Sequence, residues 1–312
     1  MKTLKLTFFA ALFLAVSVLR AADAAQVPAG LKTRNVIILV QDGERYTETW
    51  GDPKHTHKPL LAKELAPQGI LLTQFFNQGR TDTNPGHATI CTGVYQDISN
   101  DGKTLPKNPV IFQAFRKAAD APATDAWVLV SKDKLTVLAD SGAPAWQGQF
   151  TASVKSGKAD ADTMKAVFDA LGRDHPRLMI VNLAAPDAMG HSGNWEAYLA
   201  AVKACDDYAA QLWRFIQKNP AYADATALIV TNDHGRHTDD FKSHGCKCEG
   251  CRHLLFCALG PDFKKGAVSD QPAEQIDIAP TVAALLHFPL PDAKGRVLTE
   301  LFQAAGAVGG GK

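Results

Sequence analysis

The sequence has no excess of charge of either sign. Thirty-three Lys and Arg residues stand against thirty-two Asp and Glu residues, which leaves a formal net charge of +1. A protein that binds a nucleic-acid polymer or an anionic membrane through its overall charge carries a basic excess, and this chain does not. We therefore expect a small ligand that a few side chains recognise locally.

Long apolar runs are lacking beyond the N-terminus. A basic start, Met1 to Lys5, precedes an apolar run, Leu6 to Val18, and the small-residue pattern Ala22-Asp23-Ala24. The run is shorter than the ~20 residues that span a bilayer and is followed by Arg20, so the order favours a signal peptide over a membrane anchor. Residues 1–24 are thus predicted to direct export to the periplasm or the medium. Residues 25–304 are predicted to form the domain and the Gly-rich residues 305–312 a flexible tail, with no membrane contact after cleavage.

Cysteine is scarce and unevenly distributed. Cys91 and Cys205 stand alone in apolar or helical surroundings and are predicted to be buried thiols. The other four lie close together in the sequence, at Cys246, Cys248, Cys251 and Cys257, with His244 and His253 beside them. In an exported protein such a segment can form a short disulfide loop or bind a structural metal. A metal-binding or redox module built on His244 to His253, which holds Cys246, Cys248, Cys251 and both histidines, is therefore one candidate function, with a disulfide or a structural metal favoured over a redox role.

The apolar runs that are present are short and β-branched. The predicted strands are Asn35 to Val40, Ala126 to Val130, Leu178 to Leu183, Ala227 to Thr231 and Leu254 to Leu259. They alternate with predicted helices at Pro59 to Ala66, Val110 to Ala119, Ala159 to Leu171, Trp195 to Gln217 and Ile278 to Leu286. This alternation predicts an α/β fold with a mostly parallel central sheet and helices on both faces. No internal repeat interrupts it.

Acidic and imidazole side chains follow the predicted strands. In an α/β sheet, ligands bind at the carboxyl ends of the strands. The residues there are Asp42, Asp187 with His191, Asp233 with His234, and further on His244. Each one alone has an ordinary structural role, as a helix cap, a turn residue or an exposed i,i+4 pair. Six such donors together suit two divalent ions, with zinc preferred because carboxylate oxygen and imidazole nitrogen are its ligands.

Thr83 begins a predicted helix, with Pro85 two residues further on. A helix start offers unpaired N–H groups to an anion, so a hydroxyl there would meet a phosphate. The alternative is that Thr83 merely caps the helix.

Five motifs in order resemble the alkaline phosphatase superfamily, and within it the type I phosphodiesterase/nucleotide pyrophosphatase branch. They are Gln41-Asp42-Gly43, Thr83-Asn84-Pro85-Gly86-His87, Pro186-Asp187-Ala188-Met189-Gly190-His191, Asn232-Asp233-His234-Gly235 and Ser243-His244-Gly245. The resemblance implies one zinc on Asp187, His191 and His244, and the other on Asp42, Asp233 and His234 with the Thr83 hydroxyl beside it. It implies that Thr83 is the nucleophile of a phosphothreonine mechanism acting on a small phosphate mono- or diester. The family's Asn that contacts a phosphate oxygen is matched to Asn100, although it lies a little further from the nucleophile in the family.

Two rivals share the superfamily. A sulfatase usually needs a Cys or Ser nucleophile followed by Pro and Arg, which Cys91-Thr92-Gly93-Val94-Tyr95 lacks. A phosphosugar mutase resembles cytoplasmic metabolic enzymes, whereas this chain carries an export pattern. The resemblance gives neither the leaving group nor the oligomeric state.

Overall fold

The computed structural model describes residues 27–304. The predicted signal peptide, residues 1–24, and the predicted tail, residues 305–312, lie outside the described residues. Ten strands are present there: β1 Asn35–Gln41, β2 Gly69–Leu72, β3 Phe75–Phe76, β4 Ala126–Val130, β5 Ser153–Ser156, β6 Leu178–Leu183, β7 Thr226–Thr231, β8 Phe256–Leu259, β9 Ala267–Ser269 and β10 Ala273–Glu274. The α-helices of this part are α1 Thr83–Thr92, α2 Ile111–Ala119, α3 Asp160–Arg173, α4 Ala185–Ser192, α5 Trp195–Lys218, α6 Glu249–Arg252 and α7 Ile278–Leu285.

Eight strands form one mixed sheet in the order β5-β4-β6-β1-β7-β8-β2-β9. The strands β5, β4, β6, β1 and β7 run parallel to one another. Strand β8 runs antiparallel to both β7 and β2. The carboxyl ends of β6, β1 and β7 therefore lie side by side in the middle of the sheet.

The core lies on both faces of this sheet, because alternate residues of β1 point to opposite sides. Val36, Ile38 and Val40 pack with α1, α2 and α7 on one face. Ile37 and Leu39 pack with α3 and α5 on the other. The predicted α/β class, with a mostly parallel sheet covered on both faces, is confirmed.

Two predicted elements differ from the structure. The predicted helix Pro59 to Ala66 is a short π-helix, Leu61–Leu65, followed by a 3-10 turn, Ala66–Gln68. The backbone N–H groups of Leu60 and Leu61 donate to the Asp206 carboxylate, which caps the start of this segment, and Pro67, which has no N–H, follows at its end. The strand predicted at Leu254 to Leu259 begins only at Phe256. Within residues 27–304, no helix is both long and apolar enough to cross a membrane.

Candidate active site

Three neighbouring strands deliver the acidic residues of the candidate site. Asp42 directly follows β1, Asp187 lies in the first turn of α4 just after β6, and Asp233 follows β7. Because β6, β1 and β7 are adjacent and parallel, their ends bring all three carboxylates to one edge of the sheet. The sequence-predicted donors are thus gathered by the sheet itself.

The first predicted ligand set is brought together. The His191 Nε2 atom lies 3.1 Å from His244 Nε2 and 3.3 Å from Asp187 Oδ1. The His244 Nε2 atom lies 3.6 Å from the same Asp187 oxygen. His191 is the exposed member of this set, so the group opens to solvent on its side.

The second predicted set is fully buried. The His234 Nε2 atom lies 3.6 Å from Asp42 Oδ1 and 3.4 Å from Asp233 Oδ2. The Thr83 Oγ1 atom lies 3.5 Å from His234 Nε2. Asp82 occupies the N-cap position of α1, so Thr83 is the first helical residue, and its hydroxyl lies beside His234 and Lys132. The alternative role of Thr83 as the helix cap is therefore wrong.

The two sets touch each other. The rings of His234 and His244 stack with their centroids 3.9 Å apart. Donor atoms of Asp187, His234 and His244 also lie within 4.8 Å of one another. The geometry thus makes one continuous group of donors, and its division between two ions stays a prediction.

Hydrogen bonds fix which nitrogen of each imidazole faces the carboxylates. The Nδ1 atom of His234 lies 2.8 Å from the Gly235 carbonyl oxygen, and that of His244 lies 2.9 Å from the Thr81 carbonyl oxygen. With Nδ1–H donating to these carbonyls, each Nε2 presents its lone pair to the carboxylate pocket, as metal-binding histidines do.

His87 is a further buried imidazole that the analysis of single residues missed, although it stands in the second motif. Its Nδ1 atom lies 2.9 Å from the Thr83 carbonyl oxygen and 3.1 Å from Asp233 Oδ2. Its Nε2 atom lies 3.1 Å from Asn182 Nδ2, which also donates to Asp42 Oδ2 at 2.9 Å. Both ring nitrogens are engaged, so His87 positions Thr83 and Asp233.

The donor set fits divalent metal ions. Among the described residues, Asp42 Oδ1 is a buried side-chain oxygen without a hydrogen-bond partner, and the imidazole contact of Asp233 Oδ2 with His87 Nδ1, at 3.1 Å, leaves room for a further partner. A buried carboxylate oxygen without a partner is costly, and a cation between these two oxygens would remove that cost. Carboxylate oxygen and imidazole nitrogen are the ligands of zinc and similar ions.

The pKa values follow from burial and crowded charge. Burial, together with repulsion from Asp233, raises the pKa of Asp42 to about 6. Burial also lowers the pKa of His234 to about 4, which keeps that imidazole neutral and able to bind a metal. Burial alone would lower the pKa of His244, but Asp82 and Asp187 raise it. A proton therefore competes for His244 whenever no ion is bound there.

Lysine side chains line the same pocket, and the sequence analysis missed them. Lys132 lies two residues after the end of β4, and its Nζ atom lies 2.6 Å from Asp187 Oδ2, 2.9 Å from Asp42 Oδ2 and 3.3 Å from Thr83 Oγ1. The strand-end rule that selected the acids applies equally to this residue. Lys134, two residues on, donates to Asn100 Oδ1 at 3.0 Å, and that oxygen also accepts from the Asn84 N–H at 2.9 Å. Asn100 therefore lies beside the start of α1, next to the nucleophile candidate.

Arg236 is the other cation that sequence reasoning missed. Its guanidinium is fully buried and its Nη1 atom lies 2.6 Å from Asp187 Oδ1. It also donates to the Lys242 carbonyl oxygen at 2.9 Å. Arg236 therefore orients Asp187 and fixes the chain that leads to His244.

Parts of this chain match a protein family and several known enzymes. The family model of the Metalloenzyme superfamily matches residues 145–289, a segment that contains Asp187, Asp233 and His244 but neither Asp42 nor Thr83. The chain is similar to the 2,3-bisphosphoglycerate-independent phosphoglycerate mutase of Legionella pneumophila (strain Lens), with 30% identity over 142 residues. That match covers 44% of this chain and 26% of the mutase, so it spans about a quarter of the relative's length.

Solved structures extend the likeness over most of the chain. A phosphonate monoester hydrolase from Silicibacter pomeroyi is similar with a TM-score of 0.62 and 15% identity, covering 88% of this chain and 78% of that enzyme. An alkaline phosphatase, PafA, is similar with a TM-score of 0.67 and 13% identity, covering 88% of this chain and all (100%) of that one. The chain has an alkaline phosphatase-like fold. The predicted resemblance to the alkaline phosphatase superfamily is thereby confirmed at the level of the fold, and the phosphodiesterase/nucleotide pyrophosphatase branch stays a prediction.

The alkaline phosphatase-like fold does not by itself choose a reaction. A murine ectonucleotide pyrophosphatase/phosphodiesterase and a 2-O sulfatase share it as well. The proteins similar to this chain thus include a phosphatase, a sulfatase and phosphoglycerate mutases, and the family model that matches residues 145–289 is that of the Metalloenzyme superfamily. The side chains of the site, and not the fold, determine which reaction is catalysed.

Proposed function

We propose that this protein is an exported phosphate-ester hydrolase that uses two divalent ions, preferably zinc, and Thr83 as its nucleophile. One observation carries the proposal: the Thr83 hydroxyl, at the start of α1, lies 3.5 Å from the metal-facing nitrogen of His234 and 3.3 Å from the ammonium of Lys132. A hydroxyl held between a ligand set and a cation is placed to attack a bound anion.

The proposed ions are held by the two ligand sets, Asp187, His191 and His244 on one side and Asp42, Asp233 and His234 on the other. When bound, they would favour the alkoxide form of a nearby hydroxyl and stabilise the charge on the entering and leaving oxygens. Three of the six proposed ligands are imidazoles, which favours zinc over magnesium, because magnesium prefers oxygen ligands.

The reaction follows in two displacements. The Thr83 Oγ atom forms a bond to phosphorus as the bond from phosphorus to the ester oxygen breaks, and the alcohol leaves with a proton. Water then attacks the phosphothreonine, the bond from phosphorus to Oγ breaks, and inorganic phosphate leaves. Thr83 regains its proton, so the enzyme returns to its starting state.

The cations around Thr83 favour a phosphate monoester as the substrate. A monoester carries close to two negative charges at neutral pH, because its second pKa is about 6, whereas a diester carries one. Lys132 Nζ lies 3.3 Å from Thr83 Oγ1, and Lys134 Nζ lies at the start of α1, where it and the Asn84 N–H both donate to Asn100 Oδ1. These donors match an anion with several free oxygens.

Replacing the nucleophile tests the proposal. Thr83→Ala should lower the hydrolysis of p-nitrophenyl phosphate by several powers of ten, as loss of a nucleophile does in comparable sites, while metal content stays at the wild-type level. Thr83→Ser, which keeps a hydroxyl, is the matched control and should retain activity. Near-normal turnover by the Ala variant would refute the mechanism.

A mutase is the second candidate, because the curated relatives are phosphoglycerate mutases. Such an enzyme returns the phosphoryl group to its substrate, whereas a hydrolase gives it to water. Incubation of the zinc-loaded protein with 3-phosphoglycerate, followed by phosphorus NMR, separates the two. Inorganic phosphate supports the hydrolase, and 2-phosphoglycerate without free phosphate supports the mutase.

A further inference from the structure

A second group of metal-binding side chains lies just outside the candidate active site. His237, Cys246, Cys248 and Cys251, here called the Cys3His cluster, each offer a donor atom within 4.8 Å of the other three. The His237 Nδ1 atom lies 2.9 Å from Cys246 Sγ and 3.7 Å from the Sγ atoms of Cys248 and Cys251. Cys251 is buried and the other three are partly exposed.

Membership of this cluster differs from the sequence-based expectation. Cys257 lies in β8 inside the core and takes no part. His244 faces the candidate active site, and His253 stacks against Tyr46 with ring centroids 3.6 Å apart. The fourth donor is instead His237, which precedes the cysteines and is brought back to them by the turn of the chain.

The spacing of the donors suits one tetrahedral ion. Ligands at about 2.3 Å from zinc for sulfur and about 2.0–2.1 Å for nitrogen lie roughly 3.5–3.8 Å apart. The Cys246 and Cys251 Sγ atoms are 3.6 Å apart, and His237 Nδ1 lies 3.7 Å from the Sγ atoms of Cys248 and Cys251, in the same range. The distance from His237 Nδ1 to Cys246 Sγ, 2.9 Å, is shorter, so an ion would require these two atoms to move apart. A disulfide between two of the thiols would leave the third thiol and the imidazole without a partner, whereas an ion uses all four.

The backbone supports thiolates at this place. The Cys248 N–H lies 3.2 Å from Cys246 Sγ and donates to it, a contact that orients this sulfur as outer contacts orient metal ligands. The Gly235 N–H donates to the Cys251 carbonyl oxygen at 2.9 Å. The Gly250 N–H donates to Thr238 Oγ1 at 3.0 Å. Hydrogen bonds therefore join the segment around His237 to the segment that carries the cysteines.

The cluster closes the loop that carries His244. His237 stands before residues 238–245 and the cysteines stand after them, and the His237 N–H donates to the Ser243 carbonyl oxygen at 2.9 Å. Thr81 links this loop to α1, because its Oγ1 donates to the Cys246 carbonyl oxygen at 2.8 Å while its own carbonyl accepts from His244 Nδ1 at 2.9 Å. Fixing the two ends of the loop would thus hold His244 in place.

We propose that the Cys3His cluster binds a third, structural metal ion, zinc, that locks the loop bearing His244. The proposal does not depend on Thr83 or on the reaction at the candidate active site. It predicts three ions per chain, of which one is bound by thiolates and never contacts substrate.

Cobalt substitution and cysteine variants test the third site. Cobalt-loaded wild-type protein should show thiolate-to-cobalt charge-transfer absorption in the near ultraviolet. Cys248→Ser should lose that absorption and one ion per chain, and Cys257→Ala, which removes a thiol outside the cluster, should lose neither. Asp42→Asn should keep the thiolate absorption even where an active-site ion is lost, which separates this site from the catalytic one.

Peptide mapping of unmodified wild-type protein provides a measurement that needs no variant to fold. Alkylation of native zinc-loaded protein should spare Cys246, Cys248 and Cys251 until a chelator is added. A disulfide between any two of these cysteines, or a cobalt protein without thiolate absorption, would overturn the proposal. So would a folded Cys248→Ser protein that retains every ion of the wild type.

Discussion

At the scale of single residues, the candidate site depends on how charges compensate one another. Three carboxylates, Asp42, Asp187 and Asp233, lie in one buried pocket, and Lys132 reaches two of them. Burial opposes the charge on Lys132, but the neighbouring carboxylates outweigh it and raise its pKa. A lysine that remains charged beside Thr83 is available to a substrate anion once metal ions neutralise the carboxylates.

Lys132 should therefore discriminate between substrates. We expect Lys132→Ala to lower kcat/KM for p-nitrophenyl phosphate by about 10²–10³-fold, the loss typical of removing one electrostatic donor at a reacting centre. The loss for bis-p-nitrophenyl phosphate should be smaller, because a diester has less charge to compensate. Steady-state kinetics on both esters, with Lys132→Arg as the charge-preserving control, measure this. Equal losses for the two esters would remove Lys132 from substrate recognition.

At the scale of elements, the site requires α1 to approach the end of β7 closely. Gly86 lies in the first turns of α1, and a Cβ there would come within 2.7 Å of the Asp233 carbonyl oxygen. That partner is backbone, which cannot move aside as a flexible side chain does. The glycine thus sets the distance between Thr83 and the ligand set around Asp233.

Adding one methyl group at this contact should displace the nucleophile. We expect Gly86→Ala to lower kcat by at least about tenfold, since misplacement of a reacting group by about 1 Å is costly. Gly172→Ala is the matched control, because that helical glycine in α3 has no atom within 4 Å of its added Cβ. It should stabilise the protein by about 0.5–1 kcal/mol without changing kcat. Kinetics and urea unfolding on both variants check this, and normal turnover of Gly86→Ala contradicts it.

At the scale of the whole molecule, stability depends on a buried ion pair beneath the site. The Lys58 Nζ atom lies 2.8 Å from Glu44 Oε1 and 2.8 Å from Gln41 Oε1, with both charged side chains almost fully buried. Burial raises the pKa of Glu44 to about 7, although Lys58 opposes this. A raised pKa means that the contribution of Glu44 to stability is present at low pH and is lost as the pH rises through about 7.

Removing the lysine should therefore destabilise the fold in a pH-dependent way. We expect Lys58→Met to lower the free energy of unfolding by about 3–5 kcal/mol at pH 8, because it leaves Glu44 as an unpaired buried charge. The loss should shrink at pH 5, where Glu44 is neutral. Urea unfolding of the variant and of the wild type at both pH values measures this loss. Comparison at the same pH removes the effect of metal release, which both proteins share. The double variant Lys58→Met with Glu44→Gln should recover stability at pH 8, and an equal loss at both pH values would contradict the account.

Much of the fold and of the acidic site could be predicted because these features are local. Apolar runs such as Leu178 to Leu183 mark buried strands wherever they occur, and a polar residue directly after such a strand lies at the sheet edge where ligands bind. That rule selected Asp42, Asp187 and Asp233 without any tertiary information. The short strands β2 and β9 were not predicted in this way, because they pair with segments distant in the sequence and are too short to show a clear apolar run.

The sequence by itself determined the alternation of strands and helices, the order of the acidic and imidazole donors, and the position of Thr83 at a helix start. Tertiary structure alone decided which cations and which imidazoles join them. Lys132, Arg236 and His237 have no distinguishing local pattern. The residues next to them in the sequence do not indicate which carboxylate or thiol each will contact. Partnership between charges depends on distance in space, and only the folded sheet brings Lys132 to Thr83 and His237 to the three cysteines.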